Sequence, residues 1–212
     1  QTPLLAIFES LMALTNIASL DPELTDKIAR LSLRDRPATS LLDALEELLL
    51  SQNVMVRRAT TELVCNLVGS EAGISYFEPT TSSSSRLHIL LALSSAEDTP
   101  TRVAASGALT SLVYSLEISK ALAMNEKYLD LLKGLLKDDE AGVRHRGYEV
   151  WRGIGEVIGS IEEGEERERV RGKLRQKGVL KELENVRGKE RMVELRESIE
   201  GAVKAIKKLV DR

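Results

Sequence analysis

The stretch Leu63-Val64-Cys65-Asn66-Leu67-Val68 has counterparts elsewhere in its own chain. Ala13-Leu14-Thr15-Asn16-Ile17-Ala18 precedes it. Ala108-Leu109-Thr110-Ser111-Leu112-Val113 and Val150-Trp151-Arg152-Gly153-Ile154-Gly155 follow it. Aligned on Asn16, Asn66, Ser111 and Gly153, the copies stand 50, 45 and 42 residues apart. A period of that size marks units that bury their apolar faces only by stacking on one another. The residues between the copies say what the units are made of. Leu41, Leu42, Leu45, Leu48 and Leu49 fall on one face of a helix, and so do Val56, Ala59, Leu63 and Leu67. Leu129, Leu132, Leu135 and Leu136 repeat the pattern. No alternating run with hairpin turns occurs, so no sheet is predicted. The fold class that follows is all-α, a right-handed α-solenoid of armadillo or HEAT type.

Punctuation supports short helices and tight turns. Asp21 and Thr99 each precede a proline, and Asn53, Asn125 and Asp139 each precede an apolar-periodic segment, positions where a short polar side chain caps a helix. Ala104-Ala105-Ser106-Gly107-Ala108-Leu109 is a small-residue stretch of the kind that lets neighbouring helices cross at close range. Helix ends are predicted near Ser19, Gly69, Ser115 and Gly159, and Pro79–Ser85 reads as a low-complexity surface loop.

Composition narrows the function. Aromatics are 3% of the 212 residues, so the core must be filled by Leu, Ile, Val and Ala, which suits stacked helices. A single cysteine, Cys65, excludes an internal disulfide framework and a cysteine-based zinc site. Two distant histidines, His88 and His145, make no metal pair, so no metal and no cofactor is expected. A net charge of −3 argues against nucleic acid as a partner. No apolar run reaches the length of a bilayer span and no signal peptide opens the chain, so no membrane partner and a cytoplasmic location are expected. The first residue is Gln1, which reads as a piece of a longer chain. Residues 1–160 carry a net −6 and residues 161–212 a net +3, with 27 of those last 52 residues charged. The run Gly159–Glu166 separates the two textures, so the domains are read as 1–160, armadillo-type repeats, and 161–212, a charged helical cap. Within the cap, 171–186 is expected to pair with 190–210, where Ile199, Val203, Ile206 and Val210 form a stripe.

Phe8-Glu9-Ser10-Leu11-Met12-Ala13-Leu14-Thr15-Asn16-Ile17-Ala18-Ser19 resembles a signature of the UCS family of myosin chaperones. Arg57-Arg58-Ala59-Thr60-Thr61-Glu62-Leu63-Val64-Cys65-Asn66-Leu67-Val68 resembles a second, more specific one, and Val103–Leu112 a third that many armadillo proteins share. The resemblance covers about residues 4–160 and is to the C-terminal part of the family's armadillo domain. It implies a domain that binds the myosin motor head and helps it fold or stay active, beside the Hsp90 and Hsp70 chaperones. Animal members add an N-terminal tetratricopeptide domain, which nothing here resembles. The Ser/Thr-rich run at 80–85 leans toward the fungal type.

In armadillo proteins the third helices line a concave groove, where an asparagine amide can both donate to and accept from an extended peptide backbone. Asn16 and Asn66 occupy that position, and Ser111 and Gly153 depart from it. One turn earlier stand Met12, Glu62, Gly107 and Glu149; about one turn later stand Ser19, Gly69, Tyr114 and Glu156. The client-binding candidates are Met12, Asn16, Ser19, Glu62, Asn66, Ser111, Tyr114 and Glu149. Either amide could instead bond within its own repeat. Trp151 and Cys65 read as core. Arg57 and Arg58 read as a solvated or intra-repeat salt bridge or as contacts for an acidic client, His145 as a surface residue, and the charges at 162–175 as a solvated face. Phosphate loops, His–carboxylate pairs and nucleophile motifs are missing, so the chain is not read as an enzyme. A general armadillo adaptor for basic peptides is the competing reading, which Glu62 and Glu149 would suit, although the Trp–Asn alternation of nuclear-import carriers is absent.

Overall fold

The computed structural model describes residues 4–35, 37–79 and 84–211. The loop expected at 79–85 falls mostly outside them, and Ser84 already begins a helix. Thirteen helices are present among the described residues. The extended pairing among these residues is one isolated bridge, Ser32 to Ser40, which closes the turn before a helix. Two compact units result, Gln1–Ser111 and Leu112–Arg212.

The first unit runs α1 (Leu4–Ala18), α2 (Pro22–Ala29), α3 (Leu41–Leu49), α4 (Val54–Leu67), α5 (Glu71–Phe77), α6 (Ser84–Leu93) and α7 (Thr99–Leu112). After α1 the helices come in threes, each triplet two short helices and a longer third. The third helices end where the repeat copies end. Their apolar stripes account for the core: Val56, Ala59, Leu63 and Leu67 of α4 are buried, as are Leu42, Leu45 and Leu49 of α3. Ala104, Ala105, Ser106, Gly107 and Ala108 of α7 are all buried, as a close crossing requires. Gly107 therefore does not belong to an open stripe.

The second unit holds α8 (Leu116–Met124), α9 (Glu126–Leu135), α10 (Ala141–Ser160), α11 (Glu165–Gln176), α12 (Val179–Lys189) and α13 (Val193–Val210). Here α10 packs along α13. A Cβ on Gly155 would meet the Ala205 backbone at 2.7 Å, so glycine is what permits that approach. The stripe of Ile199, Val203, Ile206 and Val210 is buried. The expected pairing of 171–186 with 190–210 is found, since α11 and α12 both pack on α13; its first partner is two helices, broken at Gly178, whose φ of 62° places it in the left-handed region. The charged run at 162–175 is a largely exposed face with two exceptions. Arg167 and Arg171 are buried, Arg171 donating to the Leu209 carbonyl and to Glu163 and Glu168, Arg167 to the Ile161 carbonyl.

Caps stand where expected at Asp21, Asn53 and Asn125. Two others shift by one residue. Asp98, not Thr99, caps α7 by accepting from the Thr101 amide at 3.0 Å, because Arg58 anchors the same carboxylate. Glu140, not Asp139, caps α10, because Asp138 turns back on the Glu140 amide at 2.8 Å and fixes the turn one residue later. Asn53 accepts from the Val56 amide at 3.1 Å. Asn53→Ala should therefore lower the unfolding free energy by about 1 kcal/mol in urea melts, with Asn53→Ser recovering most of it.

Candidate functional site

In the first unit α1 lies along α4. Leu63, Val64 and Leu67 turn into the core and leave Glu62 and Asn66 half-buried on the opposite side of α4. The α1 residues at matching positions are Met12, half-buried, and Asn16 and Ser19, both exposed. The two asparagines are not equivalent. Asn66 Nδ2 donates to the Thr15 main-chain carbonyl at 3.2 Å, a bond from α4 to the last turn of α1. That carbonyl also accepts from the Ser19 amide at 3.1 Å. A carbonyl can only accept, so it fixes Nδ2 as the end of the Asn66 amide that faces it. The Asn16 side chain makes no hydrogen bond among the described residues; its own carbonyl accepts from Ser19 Oγ at 2.8 Å. Ser111, near the end of α7, is half-buried.

The remaining candidates belong to the second unit. Tyr114 is 54% exposed in the turn before α8. Glu149 of α10 pairs with Arg152 one turn on and lies 4.0 Å from His145. A hydrogen bond to Tyr114 is the largest of the effects that raise the Arg152 pKa, with Glu149 and Glu156 adding to it. Arg152 thus joins Tyr114 and Glu149. The ladder position Gly153 is closed: a Cβ there would meet Val113 Cγ1 at 2.5 Å, which explains why no amide can stand there. Trp151 is buried, Cys65 half-buried, and His145 exposed. Among the described residues no group of acidic, histidine or cysteine side chains could hold a metal ion, and no helix is long and apolar enough to cross a membrane.

No family model matches the chain. It is 37% identical over 147 residues to Ring assembly protein 3 of Schizosaccharomyces pombe, covering 68% of this chain and 18% of that protein. Its fold matches that of UNC-45 from Drosophila melanogaster with a TM-score of 0.75 at 25% identity, over 95% of this chain and 24% of that one. The chain belongs to the UCS family. A computationally designed armadillo repeat protein for modular peptide recognition gives a TM-score of 0.75 at 18% identity, over 97% of this chain and 77% of that one, a likeness of fold alone. The UCS chain spans under a fifth of the length of its S. pombe relative.

The structure adds contacts to this UCS chain that the sequence reading missed. Arg57, Arg102 and Arg144 each stand nine residues before the ladder position of their own repeat. Each reaches back to the turn before its helix: Arg57 to the Ser51 carbonyl at 2.6 Å, Arg102 to Ala96 at 3.0 Å, Arg144 to Asp138 at 2.8 Å. The register was readable as a recurring arginine at fixed offset. Two arginines also clamp one triplet to the next. Arg58 forks onto Asp98 at 2.5 and 3.0 Å, and that guanidinium is the main reason the Asp98 carboxyl sits far below the usual range. Arg144 binds Glu190 at 3.0 Å, where the Tyr148 hydroxyl also donates at 2.8 Å. Arg57 and Arg58 are thus both engaged within the first unit, Arg57 by a carbonyl of its own repeat and Arg58 by a carboxylate of the next triplet instead of an intra-repeat salt bridge.

Proposed function

We propose that this chain is a client-binding part of a myosin-directed chaperone, and that an extended segment of the myosin motor head lies along the α1–α4 face of the first unit, across Asn16 and Asn66. Membership of the UCS family supports the client; the single observation that carries the surface is the exposed Asn16 side chain, without a hydrogen bond among the described residues, on the last turns of the helix that Asn66 reaches from α4. Two side-chain amides at one repeat's spacing are suited to the polar groups of a client backbone.

The test is titration of the chain against a purified myosin motor domain, with melting curves beside it. Asn16→Ala should weaken binding about 2- to 12-fold, the equivalent of one hydrogen bond, and leave the melting temperature in place. Asn66→Ala should weaken binding by a similar factor and also cost about 0.5–1.5 kcal/mol of stability, because the Thr15 carbonyl loses a donor. A motor domain bound equally well by both variants and the parent would overturn this placement. Binding of unrelated peptides, with none of the motor domain, would favour the general adaptor.

A further inference from the structure

The α1–α4 face carries two carboxylates and no uncommitted cation among the described residues, and this decides the chemistry of what it can hold. Its one cationic side chain is committed inward, the Arg58 guanidinium to Asp98 in a two-pronged contact, while the Asn66 amide nitrogen donates to the Thr15 carbonyl. Arg58 stands one turn before Glu62 on α4, and Glu62 contributes to keeping its pKa high. Yet the Arg58 charge is already matched by Asp98, so the trio of Arg58, Asp98 and Glu62 retains one net negative charge. On α1, Glu9 is exposed one turn before Met12, on the same face as Asn16. Neither Glu9 nor Glu62 has an ion-pair partner within 4.0 Å among the described residues. Apolar surface lies among these oxygens: Met12 is half-buried and Ile17 is 43% exposed.

We infer that the segment recognised here is basic, an extended stretch with lysine or arginine side chains. Their aliphatic stems lie over Met12 and Ile17, and their charged ends reach Glu62 and Glu9. Long cationic side chains suit such a surface because the stem covers apolar atoms while the head stays with the acceptors. An acidic segment would face two uncompensated carboxylates and no free cation. The inference rests on the client face proposed above and adds the sign of the charge.

The experiment uses the whole 212-residue chain and three probes: the purified motor domain, a peptide of alternating lysine and serine, and its glutamate counterpart. The lysine peptide should bind and displace the motor domain, and the glutamate peptide should do neither. Glu62→Lys should weaken both interactions about tenfold or more. Glu9→Lys, on the exposed side of α1, should act in the same direction by about 2- to 5-fold, and it serves as the measure if Glu62→Lys melts early. Raising the ionic strength from about 0.1 M to about 1 M, which shortens the screening length from about 10 to about 3 Å, should weaken binding further. Motor-domain binding that falls in Asn16→Ala but is unchanged or tighter in both lysine variants would overturn the basic segment and keep the chaperone reading. A lysine peptide bound through Glu62 with no affinity for the motor domain would keep the basic segment and overturn the chaperone reading. Binding of neither probe would overturn both.

Discussion

Trp151→Ala should lower the unfolding free energy by about 3–5 kcal/mol. Trp151 is fully buried within α10, and in a chain with 3% aromatics it is among the largest single contributions to core volume. The cost approaches the upper end because the surroundings cannot close on the hole. Three glycines bring the neighbours of α10 to contact distance: a Cβ would meet Leu135 at 2.9 Å from Gly147, Val113 at 2.5 Å from Gly153, and Ala205 at 2.7 Å from Gly155. A helix held that tightly on several sides leaves the removed volume as a cavity instead of relaxing into it. No hydrogen bond is lost in the exchange, since the indole N–H has no acceptor among the described residues. Trp151→Phe should therefore cost clearly less than Trp151→Ala. Stacked repeats share stability with their neighbours, so the loss should spread beyond α10, and hydrogen exchange of α8 and α13 should rise together with it. An unchanged melting curve would show that the indole is not filling the core.

The repeat was legible because it is written in volume. Val64, Leu109 and Trp151 mark the buried side of three third helices at one register, and burial is what hydrophobic periodicity reports. The charged last fifty residues were harder. Arg167 and Arg171 are among the buried residues, held by main-chain carbonyls and by Glu163 and Glu168. A pattern rule reads such residues as solvated, because it cannot see a carbonyl from a distant helix. The break at Gly178 hid for a similar reason: a glycine in a charged run gives no sign of its φ. The candidate face was legible by position and not by bonding. Asn16 and Asn66 align in sequence, yet one amide is exposed and the other donates to a carbonyl 51 residues upstream, a difference that only the packing of α1 on α4 creates.

Glu190→Gln should cost about 3 kcal/mol at neutral pH and nearly nothing in strong acid. The Glu190 side chain is 4% exposed. Burial alone would raise its pKa. The Arg144 guanidinium, the Met192 amide at 3.1 Å and the Tyr148 hydroxyl overcome that and hold it at about 2, against an ordinary 4.5. That fall corresponds to about 3 kcal/mol of preference for the charged form in the folded state. A carboxyl whose folded pKa is depressed contributes stability that is complete above its unfolded pKa and is lost as pH falls through the folded one. The window here runs from about pH 4.5 down to about pH 2. Glutamine keeps an acceptor for the Met192 amide but offers Arg144 no charge, so it carries the same deficit at every pH while the parent loses its advantage only in acid. Asp98, also depressed by its arginine, titrates in both proteins and cancels in the difference. Urea melts of parent and variant at a series of pH values should thus show a gap of about 3 kcal/mol that closes as Glu190 takes up its proton. A gap that stays constant to about pH 2 would mean that Glu190 contributes through shape and hydrogen bonding instead of charge, and that the clamp between α10 and the turn before α13 is not electrostatic.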